Sequence, residues 1–185
     1  MSDNELHRDP VFEPLSRDHG VLLVLAQRLR KAAAGSTKDR TCLAGEFTEK
    51  LANIAEQYLN DETEALLSVD IDVPIRDEIV SEHAKLIEAM NRLGGGQSSL
   101  SPARFNALAD LIEGHVRWDE RRLLPFLERQ LKDSDRAKLA ERTSSIDARH
   151  VRPIKELHHS IMLNKASGHA ETCTCAESVE KRTET

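Results

Sequence analysis

Five ionisable side chains, His19, Glu62, His83, His115 and Asp119, interrupt stretches of sequence that otherwise place apolar residues at helical spacing. Burying such groups is costly unless they are paired or bound to a metal. Residues four apart on a helix differ by about 40° in direction and about 6 Å in height, so His115 and Asp119 can reach one point together. Tyr58, the single tyrosine of the chain, and Glu62 repeat that spacing. Imidazoles with carboxylates suit non-haem iron and would also accept manganese or zinc. Three imidazoles, two carboxylates able to bridge and one phenol exceed what a single ion takes. The expectation is therefore two metal ions joined by an oxide or hydroxide. With both carboxylates bridging, roughly ten of about twelve positions in two octahedra are filled, which leaves room for a small diatomic or peroxide ligand.

Such a site needs elements that bring distant residues to one level. Scoring apolar positions against the 3.6-residue period gives four amphipathic helices. The first is expected from Ser16, as N-cap, to about Ala34 before Gly35, with His19, Leu22, Leu23, Ala26 and Leu29 facing inward. The second is expected from about Thr41 to Leu67, with Phe47, Leu51, Ile54, Tyr58, Glu62 and Leu66 on one face. Pro74 suits the first turn of a third helix, whose stripe is Ile75, Ile79, His83, Leu86, Met90 and Leu93, stopped by Gly94, Gly95 and Gly96. Ser101 and Pro102 open a fourth, with Phe105, Leu108, Ile112, His115, Asp119 and then Leu123 or Phe126. Pro125 should kink or end it, because its ring meets the carbonyl of Arg121. The predicted fold is all-α: an antiparallel up-down-up-down four-helix bundle with a short extra C-terminal helix and a flexible tail. In such a bundle, mid-helix positions on the inward faces converge.

The order of these residues resembles the hemerythrin-like, HHE cation-binding family. A His lies on helix one, an acid on helix two, a lone His on helix three and H-x-x-x-acid on helix four. The stretches that carry the likeness are LSRDHGVLLVLAQRL, QYLNDETEALL, IVSEHAKLIEAM and GHVRWDERRLLPFLE, spanning about Leu15 to Leu131. The resemblance implies a di-iron centre that binds oxygen, senses oxygen or iron, scavenges nitric oxide or peroxide, or supplies iron for cluster repair. His19, Glu62, His83 and His115 match the family's ligand pattern as they stand. Tyr58 occupies the place of the first histidine of helix two, as either an inner ligand that tunes a ferric ion or a packed aromatic. Asp119 stands where the family usually has glutamate, while Glu120 sits at the five-residue spacing of true hemerythrins. On an undistorted helix Glu120 points about 140° from His115, so Asp119 is the preferred ligand unless a bulge or the Pro125 kink turns Glu120 inward. Ile79 and Ile87 flank His83, so the HxxxH of oxygen carriers is missing. Sensing or redox chemistry is expected ahead of reversible oxygen transport.

Composition narrows the remaining classes. Charged residues are 31% and apolar residues 39%, with 8 Gly and 6 Pro, as in a folded helical protein. A net charge of −6 and the lack of a basic stripe disfavour a nucleic-acid binder. No apolar run approaches the roughly 18 residues of a membrane span. The N-terminus lacks the apolar core of a signal peptide, and an odd set of 3 cysteines fits a reducing compartment, so the expected location is cytoplasmic. Cys42 reads as an ordinary small residue. The expected organisation is an N-terminal arm over 1–14, the bundle over 15–131, an accessory helical segment over 132–165 and a disordered tail over 166–185. A monomer or homodimer that meets a small diatomic or peroxide ligand, and neither nucleic acid nor membrane, is the preferred reading. The alternative is a degenerate helical module with one metal or none that works by binding a partner.

Overall fold

A computed structural model describes residues 9–94, 100–146 and 148–149, and over these the chain is helical, with no strand among the described residues. A 3-10 turn, Pro10–Phe12, leads into α1, Glu13–Ala34, followed by α2, Thr37–Glu46, and α3, Ala52–Leu67. Then come α4, Val73–Gly94, α5, Pro102–Trp118, and α6, Leu124–Gln130, with a further helical stretch over 133–146. Two π turns join consecutive helices without a break: Phe47–Leu51 between α2 and α3, and Asp119–Leu123 between α5 and α6. Among the described residues, no helix is long and apolar enough to cross a membrane.

Helix starts differ from the expected ones for identifiable reasons. The side chain of Asp9 accepts the N–H of Val11 and opens the 3-10 turn, so the chain is already coiled when Pro14 supplies its fixed φ in the first turn of α1. Ser16 therefore lies inside α1 rather than at its cap. The second helix begins before Thr41 because Ser36 and Asp39 form a capping box, each side chain accepting the other residue's backbone N–H. Gly35 makes room for that box, since a Cβ there would lie 2.6 Å from Asp39 Oδ2. The start of α5 at Ser101 and Pro102 is as expected, although the Ser101 side chain makes no capping bond.

Buried apolar residues fall into two clusters. One joins Leu22 to Ala33 of α1, Leu43 to Leu59, Leu86 to Leu93 of α4 and Phe105 to Val116 of α5. The other joins Val11, Phe12, Leu15, Ala65, Leu66, Ile79, Leu123, Leu124, Leu127, Leu139 and Ile146. With rising residue number, α1 and α4 run from the second cluster to the first, whereas α3 and α5 run the opposite way. Successive long helices thus alternate in direction. α1 packs most extensively on α5, and α3 on α4.

Some expected core positions are corrected. Leu23 is 38% exposed, and Leu25 takes its place in the core. Ile54 is only half-buried, because the π turn at Phe47–Leu51 adds a residue to one turn and brings Ala52 and Ala55 inward instead. Phe126 is half-buried, and Leu123 is the residue that continues the α5 stripe. Val11 and Phe12, placed by sequence in the N-terminal arm, are core residues. The 133–146 stretch contributes Leu139 and Ile146 to the second cluster. Ion pairs Arg136–Asp9 and Arg142–Glu64 tie it to the N-terminal turn and to α3. The remainder of the expected accessory segment, over 150–165, and the expected tail over 166–185 lie outside the described residues.

The capping geometry gives a direct contrast. Ser36→Ala should lower unfolding free energy by about 1 kcal/mol in urea titrations, because it removes an N-cap acceptor. Ser101→Ala, which removes no such bond, should cost less than half as much. Equal losses would mean that the two caps are not distinguished by their side chains.

Candidate metal centre

The five buried ionisable residues occupy the level between the two apolar clusters. His19 lies between Leu15 and Leu22, Glu62 between Leu59 and Ala65, His83 between Ile79 and Leu86, and His115 and Asp119 between Ile112 and Leu123. All are buried, and Asp119 is 0% exposed. Helical periodicity explains this placement, since each polar residue holds a position three or four from apolar neighbours on the same face.

Donor atoms of His19, Glu62, His115 and Asp119 lie within 4.8 Å of one another. Asp119 Oδ2 is 3.2 Å from His19 Nε2 and 3.1 Å from His115 Nε2. Glu62 presents Oε1 at 3.5 Å from His19 Nε2, while its Oε2 lies 3.6 Å from His83 Nε2 and 3.9 Å from His115 Nε2. His83 therefore joins the group through the far oxygen of Glu62. Its ring meets that of His115 edge-on, with centroids 4.9 Å apart. Despite these approaches, the three Nε2 atoms, Glu62 Oε1 and both Asp119 oxygens have no hydrogen-bond partner of acceptable geometry.

The outer ring nitrogens are treated differently. His19 Nδ1 lies 2.6 Å from Glu120 Oε1. His83 Nδ1 lies 2.6 Å from Thr63 Oγ1, whose single proton is donated to the Leu59 carbonyl at 2.7 Å. Thr63 must then accept, so the His83 proton sits on Nδ1 and leaves Nε2 bare towards Glu62. His115 Nδ1 has no hydrogen-bond partner.

The donor set fits a cation. Metal–nitrogen and metal–oxygen bonds of about 2.0–2.2 Å put neighbouring donors about 3 to 3.5 Å apart, which is the range of the closest contacts here. Without an ion the groups share charge among themselves. Burial would push His19 down, but Glu62, Asp119 and Glu120 together outweigh it and hold the imidazole well above its ordinary value. Burial pushes His115 down to about 3, with the neighbouring His83 and His19 adding to the effect, and burial also lowers His83. Burial alone would raise Glu62, yet His19, by its charge and hydrogen bond, chiefly keeps it ionised, whereas burial and the charge of Glu62 push Asp119 up.

The structure brings together five of the six residues expected from sequence. Tyr58 is buried one turn before Glu62, where burial first and the charge of Asp18 second push its phenol above the ordinary range. Of the two competing acids on the fourth stripe, Asp119 lies inside the cluster. The π turn expected only as a possible distortion is present, with Leu124 N–H bonded to the Asp119 carbonyl, and it brings Glu120 to the outer side of His19. Sequence reasoning had Glu120 only as a rival inner ligand and did not find Thr63. A threonine beside a ligand candidate is too common in helices to signal such a role.

In metal-free protein the ring of His115 should stay neutral from about pH 8 to about pH 5, because its folded value is depressed. His19 should carry a proton at pH 7, because its folded value is raised. Ring nitrogen shifts in nuclear magnetic resonance spectra distinguish the two, and a His115 that titrates near 6.5 would show a site open to water. The chain matches no family model, no curated protein and no solved structure, so its chemistry is argued from these residues.

Proposed function

We propose that this protein is a metal-binding antiparallel four-helix bundle that holds a two-ion, non-haem iron centre of the hemerythrin-like kind. The observation that carries the reading is the convergence of buried, unpartnered Nε2 and carboxylate oxygens from four helices on one space between two apolar clusters. The order of the ligating residues along the chain, which resembles the hemerythrin-like family, supports iron as the metal and a small oxidant as its ligand.

His19, His115 and Asp119 would hold one ion together with Oε1 of Glu62, while His83 and Oε2 of Glu62 face the position of a second. Glu62, with one oxygen towards His19 and the other towards His83, would span both. Bound iron supplies one-electron redox chemistry and an open position for oxygen, peroxide or nitric oxide, in sensing, detoxification or iron handling. The chain's own residues keep His83 and His115 neutral and Glu62 ionised, and surround the donors with leucine, isoleucine and phenylalanine side chains that exclude bulk water. Tyr58 keeps its proton by burial.

One observation favours a second reading, a single ion or none in a helical module that acts through a partner. Four donors gather tightly without His83, and Tyr58 stands where the resemblance would have a stronger donor.

Metal analysis of protein purified from iron-supplemented growth, together with its visible absorption, separates the readings. About two irons per chain in the wild type, and loss of most iron in His115→Ala with helicity retained, is the expected result. A wild type with about one ion supports the single-site reading, and a well-folded protein devoid of metal would sink the iron centre.

A further inference from the structure

We propose that Glu120 is a positioning residue of this centre: by accepting the Nδ1–H of His19 it turns the Nε2 lone pair of that ring towards Glu62 and Asp119. The inference rests on the metal-binding reading above and extends it to a residue outside the converging donors. A carboxylate can only accept, so the 2.6 Å contact assigns the proton to Nδ1. A neutral His19 then has Nε2 as its one free lone pair, 3.5 Å from Glu62 Oε1 and 3.2 Å from Asp119 Oδ2.

The backbone explains how two consecutive acids reach opposite sides of one ring. Successive residues of a regular α-helix diverge by about 100°. The wider turn at Asp119–Leu123 reduces that divergence, so Asp119 addresses Nε2 from inside while Glu120, with a side chain 27% exposed, addresses Nδ1 from the rim. The π turn is followed by Pro125, which has no N–H to continue the regular ladder.

The three imidazoles are thereby graded. His19 is backed by a carboxylate, His83 by the neutral hydroxyl of Thr63, and His115 by no hydrogen-bond partner on Nδ1. A carboxylate on the outer nitrogen fixes ring orientation and makes the inner nitrogen more basic. His19 is accordingly the strongest nitrogen donor of the set.

Cobalt(II) titration followed by visible absorption, on wild type, Glu120→Gln, Glu120→Leu and Thr63→Val, tests the assignment, with circular dichroism reporting the fold. Glu120→Leu should weaken cobalt binding about 10- to 100-fold. Glu120→Gln, which keeps an acceptor oxygen without the charge, should recover part of the loss, and Thr63→Val should cost less than Glu120→Leu. In metal-free protein, the hydrogen-bonded Nδ1 proton of His19 should appear at low field in wild type and Glu120→Gln and be missing in Glu120→Leu. Cobalt bound equally well by wild type and Glu120→Leu would overturn the positioning role while leaving the metal reading standing. Wild type that binds no cobalt but shows the Nδ1 proton would overturn the metal reading and leave Glu120 as the anchor of His19.

Discussion

Five ionisable groups gathered at one level between two apolar clusters impose the constraint around which this molecule is built. Each could be hydrated in the unfolded chain, and each loses that hydration on folding. The apolar clusters above and below the level supply the driving force that carries them in. Neither cluster alone explains why the polar residues are tolerated. Tolerance comes from their mutual arrangement, in which Glu62 stands among three imidazoles and Asp119 lies between two of them.

The two π turns show how a helical chain adjusts to such a constraint. A regular α-helix repeats its faces every 3.6 residues and cannot place both Asp119 and Glu120 against one ring. One added residue per turn shifts the register locally, and each π turn closes with the i+5 bond, Leu124 N–H to Asp119 and Ala52 N–H to Phe47. π turns inside α-helices occur mostly as single turns and often at functional sites. The one at Asp119–Leu123 is part of the site. The one at Phe47–Leu51 lies in the core and sets which face α3 presents further along.

The level of the site was legible in the sequence because each ligand candidate interrupts an apolar stripe at helical spacing. His19, Glu62, His83, His115 and Asp119 could therefore be named from periodicity alone. What spacing could not carry was the local geometry. Leu23 and Leu25 are both leucines near the edge of one stripe, and only packing decides between them. Ile54 was assigned inward because a π turn leaves no mark in the pattern of apolar residues. Ser36 and Asp39 form a capping pair, but the apolar run by itself places the start of the second helix only near Thr41. The outer partners, Glu120 and Thr63, depend on side-chain direction, which sequence distance does not specify.

The same donors can also share charge among themselves. In metal-free protein a protonated His19 faces an ionised Glu62, Asp119 is shifted towards its neutral form, and His83 and His115 remain neutral. The buried level then carries little net charge, and the cost of burial is limited. A divalent cation placed among the same donors must displace the protons held on His19 and Asp119, so positive charge replaces positive charge while the ionised Glu62 stays as it is. On the metal-binding reading, affinity for a cation would therefore be tied to proton release and would weaken as pH falls. Glu120 would enter this exchange from the rim: with its hydrogen bond to Nδ1 kept, the ring of His19 would not need to reorient when a proton on Nε2 gave way to a metal.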